Sequence, residues 1–147
     1  PGSYLVDGFK IDGFQSPHDR LGGRRYGFAT LWKWKQGGVK FLHLGGSASP
    51  LSEEDKLLLG RPDVLIIAVG GGEKVYNGIE AASVVKELNP KIVIPVQYVK
   101  GNPPANCNQK GVQPFLESMN ATTVKKVGKV LKIPQDIPDQ MTITILN

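Results

Sequence analysis

Two histidines, His18 and His43, and one cysteine, Cys107, are the whole supply of imidazole and thiol in this chain. His18 stands in Ser16-Pro17-His18-Asp19. An imidazole beside a carboxylate is a pairing that can hold a metal ion or move a proton. Arg24 and Arg25 follow in a polar, glycine-rich stretch, QSPHDRLGGRRYG, and with Lys74 and Tyr76 they could meet an anionic ligand. Further along, Gly46 lies in KFLHLGGSASP, Gly71 and Lys74 in GGGEKVYNG, and Gln97 in Pro95-Val96-Gln97-Tyr98. Abrupt strand ends rich in Gly and Ser let backbone approach a ligand closely, because no Cβ intervenes. His18, Asp19, Arg24, Arg25, Gly46, Gly71, Lys74 and Gln97 are therefore the candidate ligand-binding residues. His18 is the one candidate metal ligand, and no residue is assigned a catalytic role.

Other chemistries find less support. GGGEKVYNG fits neither the dinucleotide nor the P-loop fingerprint. No GxSxG elbow occurs, and Cys107 in NPPANCNQ has no histidine near it in sequence. A single cysteine excludes an internal disulfide and a cysteine-rich zinc site, and it is compatible with a reducing compartment. The net charge of +5 gathers partly at Lys125, Lys126, Lys129 and Lys132 and partly at Arg20, Arg24 and Arg25. Without an RNA-binding signature or a basic-region helix these charges read first as solvated surface, and there is no strong nucleic-acid signal. Asn120-Ala121-Thr122 is a glycosylation triplet by pattern only.

These residues need elements to position them. At 147 residues, 40% hydrophobic and 21% charged, the composition is that of one globular domain rather than a disordered chain. No apolar run approaches the roughly 18 residues of a membrane span. The opening PGSYLVDGF lacks the basic and apolar regions of a signal peptide. Residues 4–14 predict one or two short strands, and 15–27 a loop. Phe28 to Lys35 and Val39 to Leu44 predict a hairpin around Gln36-Gly37-Gly38. Trp32 and Trp34 share one face of its first strand, read as a buried sheet face, with Leu31, Lys33 and Lys35 on the other.

Ser52 to Leu59 predicts a short helix, with Ser52 as N-cap and Gly60 as stop. Asp63 to Val69 and Lys91 to Val99 predict buried strands. Between them Gly78 to Leu88 predicts a helix with Ile79, Ala82, Val85 and Leu88 at helical spacing. The strand–helix–strand rule then makes the two strands neighbours in one sheet. Residues 102–108 predict a loop, Val112 to Met119 a helix, and Thr122 to Val127 and Met141 to Leu146 strands. The whole is an α/β chain, 1–147, with no linker that would divide it.

HLGGSASPL, DVLIIAVGGG and IVIPVQY resemble the metallo-β-lactamase superfamily, and within it the lactonase-like metal-dependent hydrolases. Members there read HLGDLGHPL, DVLLIPVGG and IVIPMHY. The resemblance, from about Pro1 to Met119, implies the second half of a four-layer αββα sandwich with metal sites at the edge between its sheets. Of the ligands it implies, Ser16-Pro17-His18-Asp19 keeps the S-x-H-D histidine at His18. The bridging aspartate falls on Gly46, the histidine that closes GDLGH on Ser49, and the last metal histidine on Gln97. The HxHxDH signature of the first half is absent from the sequence. Glycine offers no donor, and a glutamine amide is a poor, neutral one for zinc. The expectation is therefore low-occupancy binding of zinc or another divalent metal. His43 reads as a packed strand histidine.

Lone half-sandwich geometry would expose one sheet face, with Ile11, Phe28, Trp32, Phe41 and Leu42 as its apolar candidates. The expected partner is the missing N-terminal half, a homo-oligomer copy or a larger protein complex. HDRLGGRRYGFATLWKWKQGG with HLGGSASPL also resembles a subgroup of cyanobacteria and plant plastids. That implies a chloroplast protein, stromal or thylakoid-associated, or a cyanobacterial cytoplasmic one. Two functional classes stay open: a scaffold or ligand-binding domain with a degenerate metal site, and a metal-dependent hydrolase of an ester, lactone or phosphate.

Overall fold

The computed structural model describes residues 1–120 and 122–147; the glycosylation triplet falls on Ala121, outside them. In chain order the elements are β1 (Gly2–Val6), β2 (Phe9–Pro17), β3 (Phe28–Gln36), β4 (Val39–His43), α1 (Glu53–Leu59), β5 (Val64–Ala68), α2 (Gly78–Leu88), β6 (Ile92–Val96), α3 (Gln113–Ser118), β7 (Thr123–Val127) and β8 (Thr142–Leu146). The strands form one eight-stranded sheet in the order β1-β2-β3-β4-β5-β6-β8-β7. Its first four strands are antiparallel, and from β4 onward every pairing is parallel. The α/β expectation holds, as does the hairpin of β3 and β4 and the pairing of β5 with β6 across α2. The expected loop at 15–27 starts later, because Gln15, Ser16 and Pro17 pair with Thr30, Ala29 and Phe28.

Strand alternation gives the sheet two different faces. One carries Leu31, Leu42, Leu65, Ile67, Val93 and Ile143, all fully buried. Against them pack Ala81, Ala82, Val85 and Leu88 of α2, Phe115 of α3 and Leu59 of α1. The other face carries Tyr4, Ile11, Trp32, Trp34, Phe41 and His43, which share it through the cross-strand pairs Tyr4↔Ile11, Ile11↔Trp34, Trp34↔Phe41 and Trp32↔His43. Trp34 stacks on Phe41 with centroids 5.0 Å apart. Trp32 lies over Gly13, where an added Cβ would come within 2.9 Å of the indole.

This second face is not the buried one expected for the tryptophans. Trp32 is 37% and Phe28 58% exposed, and Tyr4, Val6, Ile11, Trp32, Trp34 and His43 line an apolar groove of about 510 Å³. Leu42 is corrected to the helix-covered face. At its far end the open face is roofed by the crossover 128–141, whose Leu131, Ile137 and Pro138 enclose a cavity with Ile92 and Thr142. A crossover is obligatory there, since β7 and β8 are parallel.

Helix α2 is fixed at both ends. Asn77 accepts hydrogen bonds from the Ile79 and Glu80 amides, and the Glu80 carboxylate in turn accepts one from the Asn77 amide. This capping box leaves the helix start satisfied by protein rather than open to a phosphate. The buried stripe is Gly78, Ala81, Ala82, Val84, Val85 and Leu88. Ile79, expected among them, is 70% exposed, because the tight face at the helix start belongs to Gly78. A Cβ there would meet the Phe115 backbone nitrogen and come within 2.7 Å of the Pro114 carbonyl carbon. Gly78→Ala is expected to force α3 away from α2 and lower stability by about 1–3 kcal/mol. Urea unfolding checks this, with Ile79→Ala, at the exposed neighbouring position, as a near-neutral control.

Candidate functional site

Asp19 is almost fully buried, and its carboxylate accepts four backbone N–H bonds. Leu21 and Gly23 donate to Oδ1 at 2.7 and 2.9 Å, and Arg25 and Tyr26 to Oδ2 at 3.0 and 2.7 Å. Burial pushes this carboxyl up, but the four donors outweigh it and hold the group below the usual aspartate range. Loop 18–27 is thereby closed on itself, with the His18 amide donating to the Gly27 carbonyl at 2.9 Å. Asp19 faces the interior of its own loop.

The closed loop delivers three side chains to loop 70–76. Arg20 makes a bidentate pair with Glu80, both bonds 2.6 Å, and also donates to the carbonyls of Gly72 at 2.8 Å and Val75 at 3.1 Å. Desolvation raises the Glu80 carboxyl, while the Arg20 guanidinium and the Asn77 amide lower it and prevail. Arg25 pairs with Glu73 at 2.5 Å, and the Tyr26 hydroxyl donates to the same carboxylate. The Tyr26 ring is flanked by the Arg25 guanidinium at 5.0 Å and the Lys74 ammonium at 4.7 Å, distances at which a cation is drawn to a ring face. Arg24 is exposed on the same loop.

His18 turns toward the strand end. Its Nδ1 lies against the Gly46 carbonyl, so this nitrogen carries the proton and donates. A Cβ at Gly46 would come within 2.5 Å of the imidazole Cε1 and 3.0 Å of Nδ1. The side-chain space of residue 46 is thus filled by His18 itself. His18, Gly71, Lys74 and Gln97 line one polar cavity of about 380 Å³, together with Glu73 and Asn108. Gly71 and Gln97 are in the left-handed region, φ 77 and 49. Of the candidate set, four residues share this cavity, Gly46 supports one of them, and Arg25 reaches its Glu73 side.

Tyr76, expected with Lys74 to meet an anion, instead belongs to a buried polar chain whose serine members the sequence reading did not single out. Ser16 and Ser47 lie 2.9 Å apart through their hydroxyls, Ser47 lies 3.2 Å from the Tyr76 hydroxyl, and Tyr76 donates to the Ser49 carbonyl at 2.6 Å. Burial pushes the Tyr76 phenol up to about 12, so it stays a neutral donor. The available signal was a tyrosine next to a glycine-rich turn, which alone does not distinguish a buried hydroxyl from a surface one. Arg20, counted only among surface charges, is the other omission. His43 is half-buried on the open face, its Nδ1 accepting from the Gly45 amide at 2.8 Å, and burial pushes its pKa down. Among the described residues no three His, Cys, Asp or Glu side chains converge to hold a metal ion. No helix among them is long and apolar enough to cross a membrane.

The family model described as the beta-lactamase superfamily domain matches residues 1–97. Among solved structures, the chain is similar to a candidate Zn-dependent hydrolase of the metallo-beta-lactamase superfamily from Thermotoga maritima, at 27% identity and a TM-score of 0.82, over 99% of this chain and 69% of that one. The metallo-beta-lactamase fold protein YhfI of Bacillus subtilis aligns at 9% identity and TM-score 0.62, over 97% of this chain and 49% of its own. A candidate metal-dependent hydrolase from Parabacteroides distasonis aligns at 13% and 0.61, over 97% of this chain and 53% of its own. The last two likenesses speak for the fold alone. No curated protein matches the sequence.

Asp19→Asn is expected to lower the urea midpoint at neutral pH, since one amide oxygen cannot replace the second carboxylate oxygen with its two donors. A depressed carboxylate contributes stability above its unfolded value, about 3.9, and loses it as pH falls through the lower folded value. Wild type should therefore lose stability more steeply than Asp19→Asn below about pH 4. Unfolding midpoints across pH 2–7, roughly the range over which a carboxylate titrates, measure the difference.

Proposed function

The chain belongs to the beta-lactamase superfamily, and we propose that within it this is a remodelled, metal-poor member that binds a small polar ligand rather than a binuclear zinc hydrolase. The observation that carries this reading is the seat of His18 over Gly46. A carboxylate at position 46, as the resemblance implies for metal-binding members, needs the volume that the imidazole fills. The remaining residues do not fit a zinc centre either. Asp19 is saturated by four amides, Glu73 is held by Arg25 and Tyr26, and Ser49 presents its carbonyl to Tyr76. Gln97 contributes at most a neutral amide oxygen. His18 Nε2 is then the one imidazole lone pair left on that cavity, too few for the three or four protein donors zinc takes.

What the cavity offers instead is hydrogen bonding and a cation. Lys74, Gln97, Asn108 and Gln109 line it with His18, and Gly71 and Gly72 bring backbone close without side chains. Such a lining suits a small anionic or amide-bearing ligand, which it would orient without activating a water.

Elemental analysis of the purified chain after dialysis against zinc-free buffer is expected to find less than about one equivalent of zinc, consistent with one remaining donor. Gly46→Asp should leave retention unchanged and lower stability through the clash with His18. Two retained equivalents in wild type would show the ligand reading to be wrong.

A further inference from the structure

A second cavity lies away from that site, under the crossover 128–141 on the open face of β6, β7 and β8. It measures about 240 Å³ and is lined by Lys91, Lys125, Lys132, Thr142, Thr144 and the apolar Ile92 and Ile137. Register explains the convergence: Lys125 pairs with Thr144, and Thr142 with Ile92, so these side chains share one face. Lys91 is already paired, with Asp63 at 3.3 Å and Asp139 at 3.7 Å. Lys125 and Lys132 have no carboxylate within 4.0 Å among the described residues, so their charge is free for a ligand.

Thr144 supplies an independent sign. It is 3% exposed, and no described protein group hydrogen-bonds its hydroxyl. No side-chain polar atom among the described residues is both fully buried and unpartnered, so the hydroxyl keeps some accessible surface, and Thr144 lines this cavity. A threonine this buried ordinarily finds a protein partner. Here the place of that partner is open, beside two unpaired ammonium groups. The Val124 and Lys126 positions, one residue away in register, fall on the opposite face and take no part.

We infer that this cavity is an anion site for the phosphate of a small phosphomonoester whose apolar body rests on Ile92 and Ile137. The donors suit phosphate: lysine ammoniums act as point charges and the threonine hydroxyls as further donors, able to surround a tetrahedral anion without a planar fork. The site is independent of the polar cavity at His18 and shares no residue with it.

Inorganic phosphate, titrated into the isotope-labelled chain at constant ionic strength with chloride as control, tests this by amide chemical shifts. Saturable shifts are expected at Lys125, Thr142 and Thr144, with Lys125→Ala/Lys132→Ala weakening affinity at least about tenfold. Thr144→Val, which keeps the side-chain shape, should weaken affinity while leaving the melting temperature near that of wild type. Phenyl phosphate should bind more tightly than inorganic phosphate. Non-saturating shifts, saturable shifts only at His18, Lys74 and Gln97, unchanged affinity in the double variant, or no gain from the phenyl group would each overturn the inference. The wild-type map decides even where a variant fails to fold.

Discussion

The arrangement of the candidate site depends on one buried carboxylate. Asp19 gathers the amides of Leu21, Gly23, Arg25 and Tyr26, and that closure sets the direction of every side chain the loop presents. Arg20 is thrown toward Glu80 and the carbonyls of the glycine loop, Arg25 and Tyr26 toward Glu73, and His18 back onto Gly46. Charge-assisted bonds to backbone amides are among the stronger polar interactions in a protein, and four on one group make the loop a single unit. The polar cavity lies between two loops, the one closed on Asp19 and the glycine loop 70–76, which Arg20 ties together through Glu80 and the carbonyls of Gly72 and Val75.

A second constraint is the sheet itself. Helices cover one face, where Leu31, Leu42, Leu65, Val93 and Ile143 are fully buried. The other face keeps an apolar aromatic groove at β1–β4 and is roofed only where the β7–β8 crossover passes. Contiguous apolar surface of this kind is unusual for a lone soluble domain. The roofed end is different in character, with lysines and threonines under the loop instead of aromatics.

Much of the architecture was legible because its signals are local. Gln36-Gly37-Gly38 between alternating strands, the Ser52 cap, and Asn89-Pro90 after a helical stripe each dictate geometry within a few residues. DVLIIAV and KIVIPVQ announced neighbouring buried strands, and β5 and β6 are that pair. What stayed hidden depends on distant partners. Ile79 looks like core by spacing, yet the close approach of α3 to Gly78 assigns the buried stripe differently. Trp32 and Leu42 differ in burial only because one face of the sheet is covered. Asp19 looks like a ligand until the loop that follows wraps it, and Tyr76 and Arg20 declare themselves only through residues 27 to 60 positions away.

The central claim is that His18 is committed to the Gly46 carbonyl and not to a metal set. Long-range ¹H–¹⁵N correlation spectra of the imidazole test it most directly, because the two ring nitrogens report protonation and metal ligation separately. The account predicts a protonated Nδ1 on His18, unchanged when stoichiometric zinc is added. A His18 ring nitrogen that takes on the shift of a metal-bound imidazole at one equivalent of zinc would contradict it.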